Sequence, residues 1–298
     1  MRAFLIRLHN KVITKYQNLR FRFLLSWQGD TVLKTLPVSD EWQLRIADVL
    51  NCPENSQIPR HPLAGRIVNG VQYMHNGLKI QAESYYGFEI AKMLYENKSV
   101  HEPQEEYVFA QVLRSLPSDA TILELGSYWG FYSMWFLTER PQATAYLVEP
   151  DAANLRKGQA NFKLNGLRGH FTNAFISDKS IVTKSVPTFC VDDFLEKNEL
   201  DFIHILHADI QTYELKMLEG ALKSVQNRQI GYVFVSTHSN DLHQKCLDWL
   251  KAHDFIIISE VDLDDTFSFD GLIVGRSKYY GGIDPLSISR KTRSVKPL

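Results

Sequence analysis

Two acids and two glycines within residues 121–151 carry the first chemical signal of this chain. In TILELGSYWGFYSMWFLTERPQATAYLVEPD, Glu124 precedes a loop that begins at Gly126 and ends at Gly130. Glu149 then closes the next apolar run, 23 residues beyond Gly126. Glycine lets a backbone turn sharply and come close to a ligand. A helix starting near Gly130 presents unpaired N–H groups. An acid at about this offset meets ribose hydroxyls in doubly wound nucleotide-binding folds. Gly126, Ser127, Tyr128 and Gly130 therefore read as the loop of an adenosine-type site, with Glu149 and Pro150 at its ribose. A second set of polar residues ends two later apolar runs, as His207-Ala208-Asp209-Ile210-Gln211 and Ser236-Thr237-His238-Ser239. Histidine's ordinary pKa near 6.5 suits His238 to accept a proton, and Asp209 and His207 are the next candidates.

The loop lacks the G-x-G-x-x-G of a dinucleotide site and the Gly-Lys-Ser/Thr of a phosphate loop. Glu124 would repel a pyrophosphate but suits the cationic amino-acid end of a ligand. E-x-G-x-x-x-G followed by an acid on the next strand resembles motif I of S-adenosylmethionine (SAM)-dependent methyltransferases. Glu102, just ahead of a helix that begins near Gln104, is a further candidate for the amino-acid end; the alternative is an ordinary acidic first turn. Asn173, Ala174 and Phe175 end a third apolar run, where they either flank an adenine or pack in the core. Methyl transfer is an in-line displacement that leaves the protein to align the acceptor and help remove its proton. Asp209, His238 and His243 offer donors that Mg²⁺, Mn²⁺ or Zn²⁺ accept. The adjacent acid pair of catechol-type enzymes is missing after the fifth strand, so no metal ligand is assigned and a divalent metal is not favoured.

From about residue 103 the apolar pattern alternates between strand and helix periods. Strands are expected at Thr121–Leu125, Thr144–Glu149, His170–Ile176, Val186–Val191, Phe202–Asp209, Tyr232–Thr237, Phe255–Val261 and Gly271–Arg276. Helices are expected at Gln104–Leu116, Phe131–Thr138, Ala152–Leu164, Asp192–Lys197, Tyr213–Val225 and Asp241–His253. Such alternation implies an α/β, doubly wound, Rossmann-like fold with a seven-stranded, mostly parallel sheet whose last strand is antiparallel. Ligands then sit beyond the carboxyl ends of the strands, where all these candidates fall. Residues 1–98 lack the alternation and form an extension for the acceptor site or oligomerisation, and homo-oligomerisation stays open. Within that extension His75-Asn76-Gly77 marks a hairpin, because Asn-Gly favours a tight turn. Residues 99–280 form the main domain and 281–298 a basic, flexible tail.

Composition bounds the reading. The chain has 298 residues, 44% apolar content and a formal net charge of −1, which disfavours a nucleic-acid partner. Cys52, Cys190 and Cys246 form neither a disulfide framework nor a zinc pattern, so a cytoplasmic location is expected. Met1 to Gly29 holds six Lys or Arg and no acid. Its apolar residues recur at helical spacing, from Leu5 and Leu8 to Leu19 and Phe23. Such a helix either docks on protein or lies peripherally on the inner membrane surface.

The segments ILELGSYWGFYS, YLVEPDAANLRKGQANFKLNG, VPTFCVDDFLEKNELDFIHILHADIQTYELKMLEGA and VFVSTHS resemble the FkbM family of SAM-dependent methyltransferases over about His101 to Arg276. The family typically shows Lys-Ile-Asp-Val-Glu-Gly-x-Glu and then Leu-x-Gly-Ala. Asp209, Glu214, Leu218, Gly220 and Ala221 match, whereas His207 stands at the lysine and Gln211-Thr212 at the Glu-Gly. The resemblance implies SAM as cofactor, S-adenosylhomocysteine as product, and O-methylation of a sugar, glycan or natural-product hydroxyl. Some members instead methylate peptide amide nitrogen. A degenerate fold serving as a binding or scaffold protein is the non-enzyme alternative.

Overall fold

A computed structural model describes residues 29–82, 84–183 and 185–291. The basic helix expected over Met1 to Gly29 lies outside the described residues except for Gly29, as does the chain from residue 292 onward. Two compact units divide the chain, one of Met1–Ile46 with Pro59–His101 and one of Ala47–Ile58 with Glu102–Leu298.

The described part of the first unit holds helix α1 (Asp30–Thr35), the start of α2 (Asp40–Asn51), strands β1 (Ile67–Val68), β2 (Val71–Tyr73) and β3 (Lys79–Gln81), and α3 (Phe88–Glu96). The hairpin signal is realised: β2 and β3 pair antiparallel with Tyr73 opposite Lys79, and Gly77 takes φ 87° in the turn. Leu33, Ile67, Ala82 and Ala91 form its apolar cluster. Two buried polar side chains tie the elements together. Gln72 donates to the carbonyls of Gly65 and Ala91, and Lys92 to that of Leu33.

The second unit carries α4 (Pro103–Ser115), β4 (Thr121–Leu125), α5 (Phe131–Glu139), β5 (Thr144–Val148), α6 (Ala152–Leu164) and β6 (His170–Thr172). There follow β7 (Phe175–Ile176), β8 (Thr188–Phe189), α7 (Val191–Lys197), β9 (Ile203–Ala208), α8 (Glu214–Glu219) and α9 (Leu222–Gln226). The unit ends with β10 (Ile230–Thr237), α10 (Asn240–Ala252), β11 (Phe255–Val261) and β12 (Gly271–Ser277). Its main sheet has seven strands in the order β11-β12-β10-β9-β4-β5-β6. Pairing is parallel from β10 through β6, and β12 runs antiparallel between β10 and β11. Chain order reverses between β4 and β9, so a crevice opens beyond their carboxyl ends, the usual ligand position in such sheets.

Three expectations are corrected. The strand expected over His170–Ile176 is two strands, because β7 leaves the main sheet and pairs with β8. The helix expected over Tyr213–Val225 breaks into α8 and α9 at Gly220-Ala221. Gly220 packs so closely that an added Cβ would meet the Ser177 carbonyl oxygen at 2.5 Å. The tail expected to be loose from residue 281 is tied down as far as Lys291. Leu286 donates its N–H to Ile258, Ser289 donates to Glu54, and Lys291 pairs with Asp48.

Strand alternation separates an apolar face from a partly ionic one. Leu123, Leu125, Leu206, Ala208, Val233 and Val235 enter one apolar cluster with Phe194 and Met217. In between, Glu124, His207 and Phe234 lie side by side in register on β4, β9 and β10. Phe109 of α4 and Tyr132 of α5 pack against that row.

Candidate functional site

The glycine loop follows β4. Gly126 takes φ 73°, and a Cβ there would sit 1.8 Å from the carbonyl oxygen of Asp209. Tyr128 (φ 38°) and Gly130 (φ 73°) also take left-handed backbone conformations, and Gly130 opens α5 without a side-chain cap. Ser127 accepts the Gly130 N–H at 2.6 Å through its carbonyl, which closes the turn. The Gly126 and Ser127 N–H groups both donate to the Val148 carbonyl, so the loop is a tight turn braced on β5.

Glu149 follows β5. Its Oε2 accepts the Tyr128 N–H at 3.1 Å and its Oε1 the Asp151 N–H at 2.8 Å. Burial pushes its carboxyl above the usual range, against these hydrogen bonds, which favour the ionised form. Asn173 donates to the carbonyls of Glu149 and Pro150, both at 2.8 Å, and so fixes the bend. Ala174 is fully buried, whereas Phe175 is exposed.

Glu124 plays a different part from the one its position suggests. It is buried and accepts the Ser133 N–H at 3.0 Å, so it satisfies the first turn of α5 from within. Burial raises its carboxyl, with the nearby His207 opposing. A carboxylate already at that helix end disfavours a phosphate there. Glu102 is the residue preceding α4, and it accepts a hydrogen bond from the Tyr132 hydroxyl at 2.9 Å.

His207 is not part of the crevice. It is 3% exposed, and its Nε2 lies 2.6 Å from Glu105 Oε1, whose other oxygen accepts from Ser236 at 3.2 Å. Burial alone would lower its pKa, but the hydrogen bond and charge of Glu105, aided by Glu124 and Glu102, hold it above the ordinary value. It is the counter-ion of a buried acidic layer.

Asp209 and His238 do come together. Asp209 follows β9, anchored by its N–H to the Leu125 carbonyl at 3.1 Å, and His238 follows β10. His238 Nε2 lies 3.2 Å from Asp209 Oδ1 and 3.5 Å from Asp270 Oδ1. Its Nδ1 lies 2.9 Å from Glu214 Oε1, an ion-pair approach not aligned as a hydrogen bond. Burial would depress this imidazole, yet Asp209, Glu214 and Asp270 together push its pKa up to about 10. The amide of Gln211 stands 2.7 Å from Nε2. The same amide nitrogen donates to Asp209 Oδ1 at 3.3 Å, so Gln211 spans the acid and the ring. Gln211 and Thr212 reach this position through a strained turn, at φ 54° and φ 80°.

Asp270 was not singled out in the sequence, since it lies in the connection between β11 and β12 with no motif around it. Glu214 was visible only as a family match. His243 turns away, with Thr237 Oγ1 2.9 Å from its Nδ1 and Glu260 3.3 Å from its Nε2. Among the described residues no group of three or more His, Cys, Asp or Glu is arranged to hold a metal ion. Among them, too, no helix is long and apolar enough to cross a membrane.

The methyltransferase FkbM domain matches residues 102–257, more than half of the chain. The chain belongs to the FkbM methyltransferase family. It is a SAM-dependent methyltransferase, and the resemblance drawn from its motifs holds. No curated protein matches it. Solved structures similar to this FkbM methyltransferase include precorrin-6y C5,15-methyltransferase from Geobacter metallireducens GS-15, at 12% identity and TM-score 0.43, covering 60% of this chain and 90% of that one. TrmK of M. capricolum, in complex with S-adenosyl-homocysteine, is similar at 14% identity and TM-score 0.39, covering 58% and 69%. An rRNA methylase from Streptococcus thermophilus shows 10% identity and TM-score 0.43, covering 58% and 96%. At these values nothing about acceptor or partner follows for this FkbM methyltransferase.

The residues present fit SAM. A glycine turn follows β4, the acid Glu149 follows β5 with its carboxylate fixed by two backbone N–H groups, and the carboxyl of Glu124 occupies the first turn of α5, where it disfavours a phosphate.

Proposed function

We propose that the protein methylates a hydroxyl group of a sugar, glycan or other polyol-bearing natural product. The observation that carries this reading is the meeting of Asp209 with both Gly126 and His238. Its backbone packs on the cofactor loop, and its side chain reaches the ring at 3.2 Å. Around it, Asp270, Gln211 and His238 supply further polar groups. Tyr213 and Phe269, each 48% exposed, lie close to Gln211 and Asp270 in the chain, Tyr213 after Thr212 and Phe269 directly before Asp270. Carboxylate and amide acceptors beside aromatic faces suit a sugar ring, whose edges carry hydroxyls and whose faces carry C–H groups.

SAM, when bound, supplies an electrophilic methyl group on a sulfonium. Glu149 would hold the ribose, Phe175 would flank the adenine, and Glu102 would bind the amino-acid end. Asp209 accepts the acceptor's hydroxyl proton as the oxygen takes the methyl, and passes it to solvent through its partly exposed side chain. His238 was expected to be the base, but an imidazole already protonated at neutral pH has no lone pair to offer. Its place in this mechanism is to hold and aim the Asp209 carboxylate, 3.2 Å from its Nε2.

The test is an assay with labelled SAM against sugars, glycans and peptides, with products resolved by mass spectrometry. Methyl ethers on a polyol are expected. Transfer solely to amide or amine nitrogen would overturn the reading.

A further inference from the structure

We infer that Glu214 is a positioning residue for acceptor deprotonation, holding His238 so that Nε2 addresses Asp209. The inference rests on the methyl-transfer reading above and adds a residue to it.

Three carboxylates surround the His238 ring, and they differ in access. The side chains of Asp209 and Asp270 are 30% and 26% exposed, whereas that of Glu214 is 0% exposed. Glu214 therefore cannot meet an acceptor and acts only through the ring. It approaches Nδ1 at 2.9 Å, on the side opposite the two acids that border the crevice. Its own orientation is set by the backbone: Thr212 donates its N–H to Oε1 at 3.1 Å. Thr212 does so from φ 80°, a conformation that is strained for a β-branched residue and persists only where surroundings impose it. The same turn carries Gln211 to the ring. Glu214 Oε2 is buried without a hydrogen-bond partner, so desolvation of this acid is compensated mainly by the imidazolium.

The chain of contacts runs from Thr212 N–H to Glu214, His238 and Asp209. With the buried Glu214 carboxylate 2.9 Å from Nδ1 and Asp209 3.2 Å from Nε2, the ring is held between the two acids while Asp209 takes up and releases the proton. In one turnover the acceptor O–H bond breaks, its proton goes to Asp209, and the oxygen–methyl bond forms as the sulfur–methyl bond breaks. The charged groups facing His238 are Asp209 beyond β9, Glu214 on α8 and Asp270 beyond β11, and Gln211 is neutral.

The experiment titrates the His238 ring by NMR in the full chain, in wild type and in Glu214→Gln and Glu214→Asp, and records kcat against pH for each. Wild-type His238 should stay protonated beyond pH 8. Glu214→Gln should lower its titration point by about one unit or more, a tenfold change in proton affinity. The same substitution should cut kcat about tenfold with KM for SAM unchanged, and Glu214→Asp should restore part of both. In a His238→Gln background, Glu214→Gln should cost little more, since its effect passes through the ring. An unmoved titration point, or additive losses in the double variant, would overturn the inference. Should Glu214→Gln fail to fold, a wild-type His238 titrating near 6.5 overturns it equally. Absence of methyl transfer to every hydroxyl acceptor would instead sink the functional reading, while the titration still decides whether Glu214 governs the ring.

Discussion

The position that a Cβ would occupy on Gly126 lies 1.8 Å from the carbonyl oxygen of Asp209. The loop after β4 and the end of β9 are therefore in backbone contact, across the point where the chain order of the sheet reverses. Only glycine permits this contact. Gly126→Ala should destabilise the protein by about 2 kcal/mol or more, because both the contact and the φ of 73° oppose a side chain. Calorimetry should find SAM binding abolished in any folded fraction.

Glu149 is held by two backbone N–H groups, so its carboxylate is fixed before any ligand arrives. Charged hydrogen bonds contribute about 1.5–3 kcal/mol each. Glu149→Ala should therefore weaken binding of SAM and S-adenosylhomocysteine about ten- to hundredfold. Titration calorimetry with both ligands checks it, and equal affinity would remove Glu149 from the ribose site.

Asp209→Asn keeps the size of the side chain and removes its capacity to accept a proton. We expect kcat to fall about 10²–10⁴-fold, as for loss of a general base, with SAM affinity held within a few-fold. Stopped assays with a methylated polyol product, alongside calorimetry, separate the two effects.

The His238 ion pairs also have a stability signature. A histidine whose folded pKa is raised contributes stability that is complete below its unfolded value near 6.5. That stability is lost as pH rises through the folded value, here about 10. His207, likewise raised, acts in the same direction. Thermal unfolding followed from pH 7 to pH 10 should show a falling Tm, with a shallower fall in His238→Gln because one of the two contributions is gone. Parallel slopes would show that the ring is not held charged.

The C-terminal segment should prove structural. Truncation after Asp284 removes the Leu286 pairing with Ile258 and Ser259, the Ser289 contacts with Glu54 and Gln104, and the Lys291 pair with Asp48. A drop in Tm of about 5 °C or more is expected by differential scanning calorimetry. Asp270 stands in a connection braced by the same segment, since Gln104 bonds both Ser289 and Phe267. Activity should therefore fall with stability.

Strand and helix periods with cap residues made the alternating fold legible. Thr121–Leu125, Ala152–Leu164 and Phe255–Val261 occur with the bounds expected of them. Their signals are local: an apolar run bounded by turn residues, or a helix closing at Asn165-Gly166. Where tertiary contacts decide, local reading failed. Nothing near Gly220 announces that Ser177 and Cys190 press against it and break the helix. The basic residues of the tail looked solvated because their acidic partners, Asp48, Glu260 and Asp265, are distant in the chain. Among the candidate residues, polar ends of strands could be identified from sequence, but their environments could not. Glu124 and His207 face the buried helical layer, a consequence of strand register, while Asp209 one residue past β9 faces the crevice.

By itself, the sequence determined that this chain folds as a methyltransferase and where its cofactor loop lies. Residue type and short spacing suffice for that, since a glycine turn and the acid on the next strand are set within a single βαβ unit. Tertiary structure alone decided the charge of His238. Three carboxylates arrive there from the end of β9, from α8 and from the β11–β12 connection, and together they oppose the effect of burial on the ring. A pKa is a property of a place in the fold, whereas a motif is a property of the chain.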